Sequence, residues 1–140
     1  MAIVYFDASA LLKRLLKEDG ADVAVEVWNG CDAAISSRLV YPEVCSALAA
    51  ARRNHRLSVD QLRRALGQWE VHWSEVRAIE LTEEVGRHAG LLVRAHALGG
   101  ADGIHLASAL ALGEADPVVA SWDARLTAGA SAEGLRTVPL

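Results

Sequence analysis

The stretch VYFDASALLKRLLK, Val4 to Lys17, decides how the chain is read. Val4, Tyr5 and Phe6 lead straight into Asp7, and an apolar repeat with helical spacing follows. Leu11, Leu12, Leu15 and Leu16 fall on one helical face, with Lys13, Arg14 and Lys17 opposite. A short buried strand, Ile3 to Phe6, therefore passes into a helix over Ala8 to Lys17. An acid at such a junction stands where ligands bind in open parallel sheets, beyond the carboxyl ends of the strands. Asp7 is more than a helix cap only if other acids hold equivalent places.

The same alternation continues outward. Glu18 to Asp22 forms a turn, and a short helix runs near Val23 to Trp28. Ala33 to Ser37 reads as a second strand. A helix with Pro42 and Glu43 in its first turn reaches about His55. Ser58 caps another that reaches about Glu70. Val76 to Leu81 is a third strand, and Thr82 starts a long helix ending near Leu98. Gly99 and Gly100 break it, and Asp102 opens the next helix. Pro117 to Ser121 is a fourth strand, and the sequence RTVPL is a short last one. Strands alternating with helices imply an α/β fold with a mainly parallel central sheet of four to five strands and helices on both faces. The 140 residues suit one domain, 1–140.

Composition narrows the function. Hydrophobic residues make up 52 % of the chain, which excludes a disordered protein. A formal net charge of −4 excludes a basic, non-specific nucleic-acid coat, while leaving room for a local basic patch. Cys31 and Cys45 have no metal-like spacing and read as reduced core thiols, which fits a cytoplasmic protein. The opening MAIVYFDAS reads as a strand rather than a signal peptide, and charges interrupt every apolar segment, so no membrane association is expected. No G-x-G-x-x-G follows the first strand, against a dinucleotide-binding domain. A phosphoryl-accepting domain would want a second acid beside Asp7 or a lysine at the sheet edge. Ala8 and Ser9 follow Asp7, and both lysines lie in the first helix.

Four acids hold comparable places. Asp7 and Asp123 follow strands, while Glu43 and Asp102 stand in the first turns of helices that face the same sheet edge. Each alone is well explained as a cap or a dipole partner, worth about 0.3–1 kcal/mol. Together, three or four carboxylates in one half-buried cleft repel one another, so their pKa values rise or a cation holds them. An all-oxygen site of this kind favours Mg²⁺ or Mn²⁺, which bind phosphate oxygens and activate water. Asp7, Asp102 and Asp123 are the expected metal ligands. Glu43 is a further ligand or orients the water. Ser9 supports the site by hydrogen-bonding a carboxylate, a water or a phosphate, or simply caps its helix.

The segments IVYFDASALLKRL, YPEVCSAL, GGADGIHLASALAL and VVASWDARL resemble the four acidic motifs of PIN-domain ribonucleases, most closely the small VapC-type toxins of bacterial toxin–antitoxin pairs. The resemblance runs the length of the chain, in order. It implies a PIN-like three-layer sandwich and a metal-dependent endoribonuclease with catalytic Asp7, Glu43, Asp102 and Asp123. It also implies a cognate antitoxin protein that covers the pocket, and a homodimer. The family often carries another acid or Asn shortly after its last aspartate. Here no acid follows Asp123 until Glu133, which argues for one tightly held ion. The alternative, a non-catalytic PIN-like module binding RNA or protein, would lack one of the acids, and none is missing.

Cations cluster despite the negative total. Arg52, Arg53 and Arg56 end the helix carrying Glu43, and Arg125 lies two residues beyond Asp123, so these four are the candidates for holding RNA phosphates. Trp69 and Trp73 read as core or as part of a partner groove, and Trp122 as buried. His105, three residues after Asp102, shares its helix face. It reads as a satisfied, partly buried histidine, with a bond steering Asp102 as the other possibility.

Overall fold

The structure is a computed structural model, and it describes residues 2–140. Along the chain run β1 (Ile3–Phe6), α1 (Ala8–Lys13), α2 (Ala21–Gly30), β2 (Ala33–Ser37), α3 (Val40–Arg53), α4 (Val59–Ser74) and β3 (Arg77–Ile79). Then come α5 (Glu83–His96), α6 (Gly100–Leu110), β4 (Val118–Ala120), α7 (Ala124–Ala132) and β5 (Arg136–Val138). The expected α/β sandwich is present, and its sheet of five strands is parallel throughout, in the order β3-β2-β1-β4-β5.

Side-chain alternation along the central strands builds two separate cores. Val4 and Phe6 of β1, Ala34 of β2, and Val118 and Ala120 of β4 face one side. There they meet Leu11 of α1, Val40, Val44 and Leu48 of α3, and Trp69 of α4. Tyr5, Ile35 and Val119 face the other side, against Val85, Ala89 and Leu92 of α5, Leu106 of α6 and Leu126 of α7. Trp69 is fully buried, which settles the sequence alternative for that residue in favour of core.

The order of the strands positions the site. From β1 the chain winds through β2 to β3 on one side, then returns to place β4 on the other side of β1. The gap at the carboxyl ends of β1 and β4 is thus the point where the winding reverses, where open α/β sheets bind ligands. Asp7 follows one of these strands and Ser121 to Asp123 follow the other.

Some boundaries differ from the sequence expectation. Helix α1 stops at Lys13 rather than Lys17, because its end tightens: the Leu15 amide bonds Leu12 only three residues back, at 2.9 Å. Leu15 and Leu16 still pack on the first core, so the apolar repeat outlasts the helix. Helix α4 runs on to Ser74 because Trp69 and Trp73 continue its buried stripe. Ser58 caps it as expected, with Gln61 completing a reciprocal capping box.

Helices α5 and α6 approach so closely that Gly103 has no room for a side chain. A Cβ there would stand 2.3 Å from Val93 Cγ1 and 3.1 Å from the Ala89 carbonyl oxygen. Gly103→Ala is expected to lose about 1–2 kcal/mol of stability, the better helix propensity of alanine offsetting only part of the clash. Urea unfolding measures it, and because Gly103 adjoins Asp102 the shift also moves the site.

Candidate active site

Asp7 ends β1 in extended backbone, and its carboxylate is buried, only 4 % exposed. Oδ1 accepts from Ser9 Oγ at 2.7 Å and from the Ala10 amide at 2.9 Å, and Oδ2 accepts from Ser121 Oγ at 2.6 Å. Burial raises its pKa above the usual carboxylate range, and these three donors oppose that rise. Ser9 therefore both braces Asp7 and, by accepting the Trp122 amide at 2.9 Å, ties the end of β4 to the start of α1.

Ser121 was not singled out from the sequence, yet it is the mirror of Ser9. It lies two residues before Asp123 as Ser9 lies two after Asp7, and it accepts the Asp123 amide at 3.0 Å. That symmetry of spacing was the available signal. Ser121→Ala removes a hydrogen bond to a buried charged group, and a loss of about 1.5–3 kcal/mol is expected. The loss is larger at neutral pH than near pH 4, because the donor favours the ionised form of Asp7; thermal melts at the two pH values check it.

Asp123 Oδ1 accepts the amides of Arg125 and Leu126 at 2.9 and 3.0 Å and so caps α7. Asp102 sits in the first turn of α6, after a cap made by Gly99, rather than at the helix's first residue. It is half-buried and is governed by charge and burial rather than by hydrogen bonds. Burial raises its pKa, and the negative charges of Asp123, Asp7 and Glu43 push it the same way. Asp102 thus lies within electrostatic reach of acids from three other segments. Among the described residues, no three His, Cys, Asp or Glu side chains are drawn together as a finished ligand set. The protein's own donors hold both oxygens of Asp7 and one oxygen of Asp123. The donor set is nonetheless all oxygen, which fits a hard divalent cation and not a soft one.

Glu43, in the first turn of α3, meets His105 of α6: Oε1 and Nε2 are 2.6 Å apart. The histidine thus contacts Glu43 rather than Asp102, and it is nearly fully buried, at 2 % exposure. Its Nδ1 lies 2.7 Å from the Tyr5 hydroxyl, which accepts the Ser37 amide at 3.1 Å. Neither Tyr5 nor this chain of contacts was legible beforehand, since the four residues come from β1, β2, α3 and α6.

The arginines divide. Arg125 is exposed in the first turn of α7, beside Asp123. Arg52 and Arg53 lie in the last turn of α3, about 14 Å along the helix axis from Glu43. Arg56 follows that helix and pairs with Glu18 at 3.2 Å. Glu133 lies at the far end of α7 from Asp123 and binds His96 at 2.6 Å. Trp122 is partly buried against the first core.

Residues 4–130 match the PIN domain. The chain belongs to the PIN domain family. Two relatives from Mycobacterium tuberculosis strains, Ribonuclease VapC45 and Ribonuclease VapC49, are each 57 % identical to it over 139 residues, covering 99 % of this chain and 96 % of theirs. Among solved structures, a toxin–antitoxin complex from Klebsiella pneumoniae contains a chain of similar fold, with a TM-score of 0.64 at 20 % identity, covering 90 % of this chain and 91 % of that one. In this PIN domain Asp7 and Asp123 follow the carboxyl ends of β1 and β4, and Glu43 and Asp102 lie in the first turns of α3 and α6.

Proposed function

We propose that this PIN domain is an endoribonuclease that cleaves RNA phosphodiester bonds with a divalent ion, Mg²⁺ or Mn²⁺, and acts as the toxin of a toxin–antitoxin pair. One observation carries the reading. Asp7 and Asp123 follow β1 and β4, Glu43 and Asp102 stand in the first turns of α3 and α6, and Asp102, which caps no helix, has its pKa raised by burial and by the other three acids. A protein gains nothing in stability from gathering those charges, so the cluster serves a cation. The two relatives with near-identical length, both named ribonucleases, point the same way.

Asp7, Asp102 and Asp123 would hold the ion. When bound, it supplies positive charge at the phosphodiester and a water of lowered pKa. Ser9 and Ser121 hold the two oxygens of Asp7 in fixed positions at the end of β1. Glu43 keeps one oxygen, Oε2, to orient a water or take its proton. Arg125, at the rim, is placed to meet an RNA phosphate, and Arg52, Arg53 and Arg56 extend a basic track away from the acids.

The partners follow from the same reading: an RNA substrate, a cognate antitoxin protein and a second copy of the chain. A groove lined by Leu39, Tyr41, Pro42, Trp73 and Leu81, with Arg38 and Glu70 among its lining, opens beside the helix end that carries Glu43, a largely apolar surface suited to a protein segment. No helix among the described residues is long and apolar enough to cross a membrane, and the free thiols Cys31 and Cys45 suit the reducing cytoplasm we assign.

The test is cleavage-site mapping on total RNA with Mg²⁺, with Mn²⁺ and with a chelator. Discrete cuts that vanish with the chelator support the reading. Cuts that persist in chelator overturn the metal assignment, and RNA binding without any cut favours the non-catalytic module.

A further inference from the structure

The contacts around His105 form a directed chain. Glu43, as a carboxylate, only accepts hydrogen bonds, so the 2.6 Å contact requires the proton on His105 Nε2. At the other end, the Tyr5 hydroxyl oxygen already accepts the Ser37 amide at 3.1 Å, and its own hydrogen is free for Nδ1, 2.7 Å away. One tautomer satisfies both ends: Tyr5 O–H to Nδ1, and Nε2–H to Glu43 Oε1. Tyr5 is fully buried and His105 is 2 % exposed, so water does not compete for either bond. The imidazole is edge-on to the Tyr5 ring, with centroids 5.8 Å apart and planes at 72°, and cannot swing without losing that packing.

Glu43 differs from the other acids in this respect. Asp7 is fixed by three donors next to it in space, and Asp123 by amides of its own helix. The Glu43 side chain has one more rotatable bond than aspartate. It starts from a helix whose first residues carry no side-chain cap, and among the described residues the contact that fixes it comes from α6.

We propose that His105 is a positioning residue: held in its Nε2–H tautomer by Tyr5, it pins Glu43 Oε1 and so aims Oε2 at the pocket. The role rests on the ribonuclease reading, because it gives Glu43 a task there. Metal ligands and catalytic carboxylates held by an outer hydrogen bond typically lose about 10–100-fold when that bond is removed. The Tyr5 bond acts one step further back, through the tautomer.

Cleavage kinetics on one defined RNA decide the proposal, with Glu43→Gln as background. His105→Leu is expected to lower kcat by about 10–100-fold with KM nearly unchanged. His105→Gln keeps an N–H close to the position of Nε2 and is expected to recover most of that loss. In the Glu43→Gln background, His105→Leu adds no further loss, since the residue works through that carboxylate. An equal loss in both backgrounds, or a Gln variant as poor as the Leu variant, overturns the proposal. Thermal melts of each variant identify any that fails to fold, and if His105→Leu does, the imidazole ¹⁵N pattern decides the proposal.

A second readout is independent of cleavage. Imidazole ¹⁵N spectra of the wild-type protein are expected to show a protonated Nε2 and an unprotonated Nδ1, with the preference weakened in Tyr5→Phe. A proton on Nδ1 alone overturns the proposal even in an active enzyme. A wild-type protein that cuts no RNA overturns the functional reading instead, and the ¹⁵N pattern still decides whether Tyr5 sets the tautomer.

Discussion

Asp102→Asn is expected to reduce RNA cleavage by at least about 100–1,000-fold, the scale of removing one principal charge-stabilising group from an active site. The same change is expected to leave the fold intact and to raise the melting temperature of the metal-free protein. The four acids separate on this point. Asp7 and Asp123 each cap a helix, so replacing either removes a structural bond worth about 1 kcal/mol along with its charge. Asp102 caps nothing, and its carboxylate is raised in pKa by burial and by its acidic neighbours. The amide isostere removes that repulsion without removing a bond. Activity and stability therefore move in opposite directions, as expected of a strained functional site. Kinetics and thermal melts on the same preparations check it. An Asp102→Asn protein that cuts RNA as fast as wild type, or that melts lower with activity retained, would show the acid to be structural.

Much of this was legible because it rests on periodicity and on local chemistry. The strand-to-acid junction at Val4 to Asp7 and the caps at Ser58 and Thr82 are short-range patterns, and they recur in the structure at the expected places. The strand order was not legible, since nothing in the short β4 or β5 segments states which neighbour they pair with. Contacts closed by that order were hidden for the same reason. Tyr5 looked like one apolar residue of a buried strand, yet alternation turns it away from Val4 and Phe6 toward α6 and His105. His105 looked like a neighbour of Asp102 on a helix face, yet the crossing of α6 over the sheet brings Glu43 within reach instead. The end of α1 was misjudged because a leucine can stay buried in a turn as well as in a helix, as Leu15 and Leu16 do.

Metal-free protein is expected to lose stability as pH rises from about 4 toward neutrality, and Mn²⁺ or Mg²⁺ to restore it. The sign follows from two groups. Asp7 and Asp102 both have folded-state pKa values above those of the unfolded chain, each chiefly from burial. The folded state then binds protons more tightly than the unfolded state, and that advantage is complete below the unfolded value of about 3.9. It is lost as pH climbs through the raised values. A divalent ion binds the ionised carboxylates, so its effect has the opposite slope, small in acid and large at neutral pH. At about 100 times its dissociation constant the ion adds about 2.7 kcal/mol, roughly an 8–12 °C rise in Tm for a domain of this size. Asp102→Asn flattens both curves, because it removes one raised carboxyl and one ligand together. Melting curves across pH, with and without Mn²⁺, separate this from a general salt effect. General screening would shift wild type and Asp102→Asn alike at every pH, and that result would leave the acids without a cation to serve.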